Sequence, residues 1–216
     1  MPLRILVVDD HAVVRRGVRS LLESHEGWEV CGEATTGRDA VEQSRRLRPD
    51  VVVMDLSLPE LNGLDATRQI LKDAPDTEVL VLTMHHSEEL ARDVLHTGAR
   101  GYVLKSDADE NLIAAIDSLR QHKPFLTSTV TEFVLDDYVR RGDAAQDDLG
   151  PVAVTARERE IIQLVAEGKS NKQAAATLGI SVKTIEAHRL NVMRKLRLRS
   201  VSDLVRYAIR NKIAQP

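Results

Sequence analysis

The stretch "VVVMDLSLPELNGL", residues 51–64, decides how the rest of the chain is read. Val51, Val52, Val53 and Met54 form an unbroken apolar run, the pattern of a strand buried on both faces of a parallel sheet. The run ends on a carboxylate, Asp55, and passes at once into a segment with the turn formers Pro59, Asn62 and Gly63. A buried charge is expensive unless it is paired or used. Asp55 therefore asks for partners.

Four other short apolar runs flank this one: "LRILVV" (3–8), "WEVCGEA" (28–34), "EVLVLT" (78–83) and "GYVLK" (101–105). Amphipathic segments near 12–25, 37–48, 63–73, 88–97 and 109–121 separate them. Five strands alternating with five helices predict a doubly wound α/β domain with a parallel sheet and right-handed crossovers. In such a sheet, ligands bind beyond the carboxyl ends of the strands. The polar residues at those ends are Asp9 and Asp10, Asp55, Thr83 and Lys105. Clustered carboxylates repel one another, which an oxygen-seeking dication such as Mg²⁺ relieves. A lysine opposite them can hold a phosphoryl oxygen, and a hydroxyl can donate to another. The set suits a phosphoryl group carried on Asp55, with Asp55 as nucleophile. Asp10 has a simpler alternative role, capping a helix that begins at His11.

The net charge of −3 over 216 residues hides an asymmetry. Residues 151–216 carry 13 Lys+Arg against 5 Asp+Glu, a net of +8, and residues 1–150 carry 17 against 28, a net of −11. The basic third predicts a polyanionic partner for that part alone. One cysteine, Cys31, excludes an internal disulfide, and no run approaches the roughly 18 apolar residues of a membrane helix. The expectation is a cytoplasmic protein with no membrane contact.

After Lys123–Pro124 the pattern changes. Residues 127–141 suit one more helix, and "GDAAQDDLGP" (142–151) has the composition of a linker. The division predicted is 1–122, a linker over 123–150 that is partly helical, and an all-helical domain over 151–216. In that last part "TARE" (155–158), "SNKQ" (170–173) and "SVSD" (200–203) carry capping-box signatures, and "SVKT" opens another helix at Ser181. A helix over 171–178, a turn at Gly179 and a helix from about 182 to 196 make a helix-turn-helix. Val182, Ile185, Val192 and Leu196, with Met193 beside them, fall on its core side. Lys183, Thr184, Glu186, Ala187, Leu190 and Arg194 lie mostly away from it and face a groove of duplex DNA. Lys172, Lys183 and Lys195 are phosphate candidates by charge and placement, and Ala187 and Leu190 suit a thymine methyl. His188 is either a core polar residue or a backbone contact. The terminal helix, 200–212, offers Val201, Leu204, Val205, Ala208 and Ile209 as an apolar stripe, shared between the core and a homodimer.

The motifs "VVDDH" (7–11), "MDLSLPELNGL" (54–64), "LTM" (82–84) and "GYVLK" (101–105) resemble the receiver domain of bacterial two-component response regulators. The segment "TAREREIIQLVAEGKSNKQAAATLGISVKTIEAHRLNVMRKL" resembles a LuxR-type DNA-binding domain, so the whole is similar to the NarL/FixJ family. Ala156 stands where that family usually has proline. The resemblance implies a five-stranded sheet of order 2-1-3-4-5 followed by a four-helix domain. It makes Asp55 the phosphoacceptor, and Asp9, Asp10, Asp55 and the Ser57 main-chain carbonyl the Mg²⁺ ligands. Thr83 and Lys105 would contact the phosphoryl group, with Tyr102 the aromatic that moves with Thr83. It further implies a sensor histidine kinase as donor, dimerisation on phosphorylation, and regulation of transcription rather than enzymatic turnover. Two rivals differ in class. A hydrolase that uses an aspartyl phosphate would need an acid two residues beyond Asp55, where Ser57 stands. A protein-binding scaffold would leave the basic charge without a purpose.

Overall fold

The computed structural model describes residues 2–84, 87–127 and 154–215. The helix expected beyond Thr127, the linker at 142–151 and the pair His85–His86 lie outside the described residues. What is described falls into two compact units.

The first unit is a parallel sheet with helices on both faces. Its strands are β1 (Leu3–Val8), β2 (Trp28–Ala34), β3 (Val51–Met54), β4 (Glu78–Thr83), β5 (Gly101–Leu104) and β6 (Phe125–Leu126), in the order β2-β1-β3-β4-β5-β6. The helices are α1 (Ala12–Glu23), α2 (Gly37–Leu47), α3 (Gly63–Asp73), α4 (Glu88–His96) and α5 (Ala108–Arg120). The count of five strands is corrected to six. The chain reverses at His122, with φ at 55°, and Phe125 N–H donates to the Arg100 carbonyl at 2.9 Å. This lays Phe125 beside Gly101 and Leu126 beside Tyr102, past the boundary expected at 122. Two residues are too few to carry an alternating signal.

Alternation sets what each face buries. Ile5, Val7, Val51, Val53, Leu80, Leu82 and Val103 point to one side, where Val18 and Leu22 of α1 and Leu112, Ala115, Ile116 and Leu119 of α5 close over them. Leu6, Val8, Val52, Met54, Val79, Val81 and Tyr102, equally buried, belong to the other. Trp28 opens β2 in the first of these cores, and the His25 ring stacks on it with centroids 4.0 Å apart.

The second unit consists of α6 (Ala156–Ala166), α7 (Asn171–Leu178), α8 (Val182–Lys195) and α9 (Val201–Arg210). Ile161, Ile162, Leu164, Ala174, Ile185, Val192, Leu204 and Ala208 form its core. Thr155 and Ser170 make complete capping boxes with Glu158 and Gln173. The third expected box is only half made. Ser200 accepts from Asp203 N–H, but the Asp203 carboxylate bonds the Ser200 hydroxyl and the Arg199 N–H instead of the Ser200 N–H. Aspartate is one methylene shorter than glutamate. Val182 is also corrected: it is 40% exposed, because the side chain of a first helical residue leans back past the packed turns.

Glu158 joins two elements. Its Oε2 accepts from Thr155 N–H and from Lys195 Nζ, each at 2.7 Å. Burial pushes its pKa up, but the bonds from Lys195 and Thr155 outweigh that and hold it below the usual 4.5. A depressed folded-state pKa stabilises the fold above the unfolded-state value, and that contribution is lost as pH falls through the folded one. Below pH 4.5 the thermal midpoint of this unit is therefore expected to fall more steeply in the native chain than in Glu158→Gln. Parallel acid profiles for the two proteins would remove Glu158 from the account.

Candidate functional site

The site in the first unit follows from strand register. Val8 of β1 pairs with Met54 of β3, so Asp9 and Asp55 emerge side by side; Asp55 N–H donates to the Val8 carbonyl at 2.9 Å. Asp9, Asp55 and Lys105 each stand two residues beyond a core valine, Val7, Val53 and Val103, all in one face of the sheet. Period-two alternation thus aims three polar groups the same way. Lys105 Nζ lies 2.6 Å from Asp9 Oδ2 and 2.9 Å from Asp55 Oδ2. Asp55 Oδ1 accepts from Leu56 N–H at 2.8 Å. Asp9 and Asp55 are buried, and Asp10 is exposed at the rim.

Electrostatics follow from that burial. Desolvation pushes the Asp55 carboxyl above its ordinary value, and the Lys105 ammonium works against the rise. For Lys105 burial works downward, but the hydrogen bonds and charges of Asp9 and Asp55 overcome it and leave the amine above its ordinary value. The site holds charged groups in a place that resists charge.

Thr83 ends β4 fully buried. Tyr102 pairs with Val81, two residues before Thr83, so the Tyr102 and Thr83 side chains share one face of the sheet. Tyr102 is buried and its hydroxyl is pushed up to about 12 by desolvation. Ser57 follows in the β3–α3 loop, and its backbone hydrogen bond helps hold Asp55 down.

The alternative role for Asp10 is not taken up. The N-cap of α1 is His11, and it is Asp9 Oδ1 that accepts His11 N–H, at 2.8 Å. Asp10 Oδ1 instead meets His11 Nδ1 at 2.7 Å. Ligand atoms of Asp9, Asp10, His11 and Asp55 lie within 4.8 Å of one another. Sequence reasoning missed His11, although it closes the "DDH" motif. It also missed Arg15, which donates to the Asp9 carbonyl at 2.8 Å and is itself held by Glu33.

In the second unit α7 ends at Gly179, whose φ of 64° is the left-handed cap, and Ile180 N–H closes back on the Ala175 carbonyl at 3.1 Å. The turn delivers α8 with Ile185 and Val192 inward. Lys172, Lys183, Thr184, Glu186, Ala187, Leu190 and Arg194 are exposed, and Leu190, 65% exposed, is a large apolar side chain facing solvent. His188 is half-buried. Lys195 is half-buried, with its Nζ on Glu158 Oε2 at 2.7 Å.

Comparison with known proteins gives these two units their family. Residues 5–117 match the response regulator receiver domain, and residues 152–208 match the bacterial regulatory proteins of the luxR family. The chain belongs to the NarL/FixJ family of response regulators. The regulator is 39% identical over 214 residues to the oxygen regulatory protein NreC of Staphylococcus carnosus, covering 98% of this chain and 99% of that one. A LuxR-family response regulator from Aurantimonas aligns with a TM-score of 0.61 at 34% identity, over 64% of this chain and 99% of the other. A response regulator RcsB–DNA complex aligns at 0.59 and 27% identity, over 96% and 98%. The regulator is thus a two-component response regulator with a DNA-binding domain that regulates transcription. No helix among the described residues is long and apolar enough to cross a membrane.

Proposed function

We propose that the regulator is switched by a phosphoryl group taken onto Asp55, and that the switch controls dimerisation and sequence-specific DNA binding in the cytoplasm. The observation that carries this reading is the Lys105 ammonium shared between the buried carboxylates of Asp9 and Asp55. An Asp55 oxygen attacks phosphorus, the bond from phosphorus to the histidine nitrogen of a sensor kinase breaks, and the nitrogen keeps the electron pair. Lys105 then turns its ammonium to a phosphoryl oxygen, and the Thr83 hydroxyl donates to another. Tyr102, on the Thr83 face, follows and changes the surface beside β4 and β5. The donor set is hard and acidic, which fits Mg²⁺. Asp9, Asp10, Asp55 and the Ser57 carbonyl would hold it, and it would neutralise charge on the transferring group.

In the second unit Lys183 and Lys172 meet phosphates, while Thr184, Glu186, Ala187, Leu190 and Arg194 face the bases. Of the α9 stripe Leu204 and Ala208 are spent in the core, which leaves the exposed Val201 with the half-buried Val205 and Ile209 for a dimer contact. Sedimentation and duplex binding of the full chain, with and without a small acyl-phosphate donor and Mg²⁺, test the switch. Dimers and tighter binding are expected with the donor; unchanged mass and affinity would reject it. Lys183→Ala should weaken all duplexes alike and reduce the salt slope by about one. A loss confined to one sequence would make Lys183 a base contact instead.

A further inference from the structure

Glu186 is the only acidic residue between Gly168 and Val201, on a helix otherwise suited to a polyanion. It is exposed, and a free carboxylate there would repel phosphate. It is hydrogen-bonded not by a lysine or arginine but by an amide. Asn171, the first residue of α7, donates from Nδ2 to Glu186 Oε1 at 3.3 Å, and its Oδ1 accepts from Arg189 Nη1. Arg189 is one turn further along α8 than Glu186 and partly buried.

The chemistry admits only one arrangement. A guanidinium only donates and a carboxylate only accepts, so a single residue between them must do both. Asparagine does; aspartate, lysine or alanine does not. The amide orientation is fixed by its two neighbours. The result is a clasp from the start of the first helix of the helix-turn-helix to the flank of the second, and it holds the Glu186 side chain.

We propose that Asn171 is a positioning residue for base readout: it fixes Glu186, which accepts from the amino group of a cytosine in the major groove. This rests on the DNA-binding reading above. A carboxylate is the acceptor that suits the cytosine N4 amino group, and no other base edge in the major groove favours it as well. Glutamate has three rotatable bonds, so holding it before contact lowers the ordering cost of binding. Arg189, partly buried and bonded to Asn171, places a positive charge beside the Glu186 carboxylate.

The test is selection of binding sites from a random duplex library by the full chain, treated with an acyl-phosphate donor and Mg²⁺. It is run for wild type, Asn171→Ala, Asn171→Asp and Glu186→Gln. Asn171→Asp keeps an acceptor for Arg189 and removes the donor to Glu186, so it covers the case in which the alanine variant fails to fold. Wild type should require cytosine at one position of each half-site. All three variants should lose that requirement and keep the rest of the motif. On a matched pair of duplexes differing at that base, discrimination should drop by about tenfold, the scale of one mismatched base pair, with the salt slope unchanged. An unaltered motif in the folded Asn171 variants, or information lost evenly across the site, overturns the proposal. A wild-type chain that enriches no sequence overturns the DNA reading, and this inference with it.

Discussion

Asp55→Asn is expected to take up no phosphoryl group from an acyl-phosphate donor under conditions that label the native chain once. The amide matches the carboxylate in shape and keeps an oxygen for the Leu56 N–H that now bonds Asp55 Oδ1 at 2.8 Å. It lacks a nucleophilic carboxylate, so no acyl phosphate forms. The fold should survive. The substitution takes a charge out of a site where burial already pushes Asp55 toward its neutral form, and Lys105 keeps Asp9 as a partner at 2.6 Å. Intact mass measurement reads the label, and base lability identifies it as an acyl phosphate. Labelling of the asparagine variant equal to wild type would move the acceptor to another residue. Labelling lost together with the thermal midpoint would trace the loss to unfolding.

Gly63→Ala is expected to cost about 3 kcal/mol, through overpacking and a lost backbone bond. A Cβ at Gly63 would stand 2.0 Å from the Asp55 carbonyl oxygen and 2.8 Å from Leu56 Cα. Both are backbone, so neither can rotate aside. Relief requires the β3–α3 loop to move, at the expense of the Gly63 N–H bond to the Leu56 carbonyl at 3.0 Å. Against a total stability of about 5–15 kcal/mol this is a large share. The urea midpoint should fall accordingly, and labelling at Asp55 should slow because the same loop frames it. A midpoint equal to wild type would mean that the loop yields to the added methyl group at no cost.

Much of this was legible in the sequence, and the reason is periodicity. β1, β2 and β4 run as the apolar runs predict, and β3 and β5 stop one residue short, at Met54 and Leu104. Their last polar residues, Asp55 and Lys105, have left the ladder to serve the site. The strand-end rule likewise brought Asp9, Asp55 and Lys105 together, because in-register parallel strands end side by side. What escaped was governed by single contacts rather than by pattern. His11 joins Asp10 through a ring nitrogen, β6 is two residues long, and Lys195 finds Glu158 across 37 positions of sequence. Asn171 gives no sequence signal beyond following an N-cap. Its role depends on how α7 and α8 lie together.

Trp28 is the sole tryptophan in the chain, and it lies in the sheet-bearing unit with the His25 ring stacked against it. Indole emission is therefore an optical report on one unit only. The Gly63→Ala loss should appear in both fluorescence and far-ultraviolet circular dichroism. The acid loss through Glu158 should appear in the dichroism while the fluorescence stays silent. Unfolding of the sheet-bearing unit thus carries its own spectroscopic label without any dye, and a phosphorylated Asp55 can be asked whether it shifts that signal.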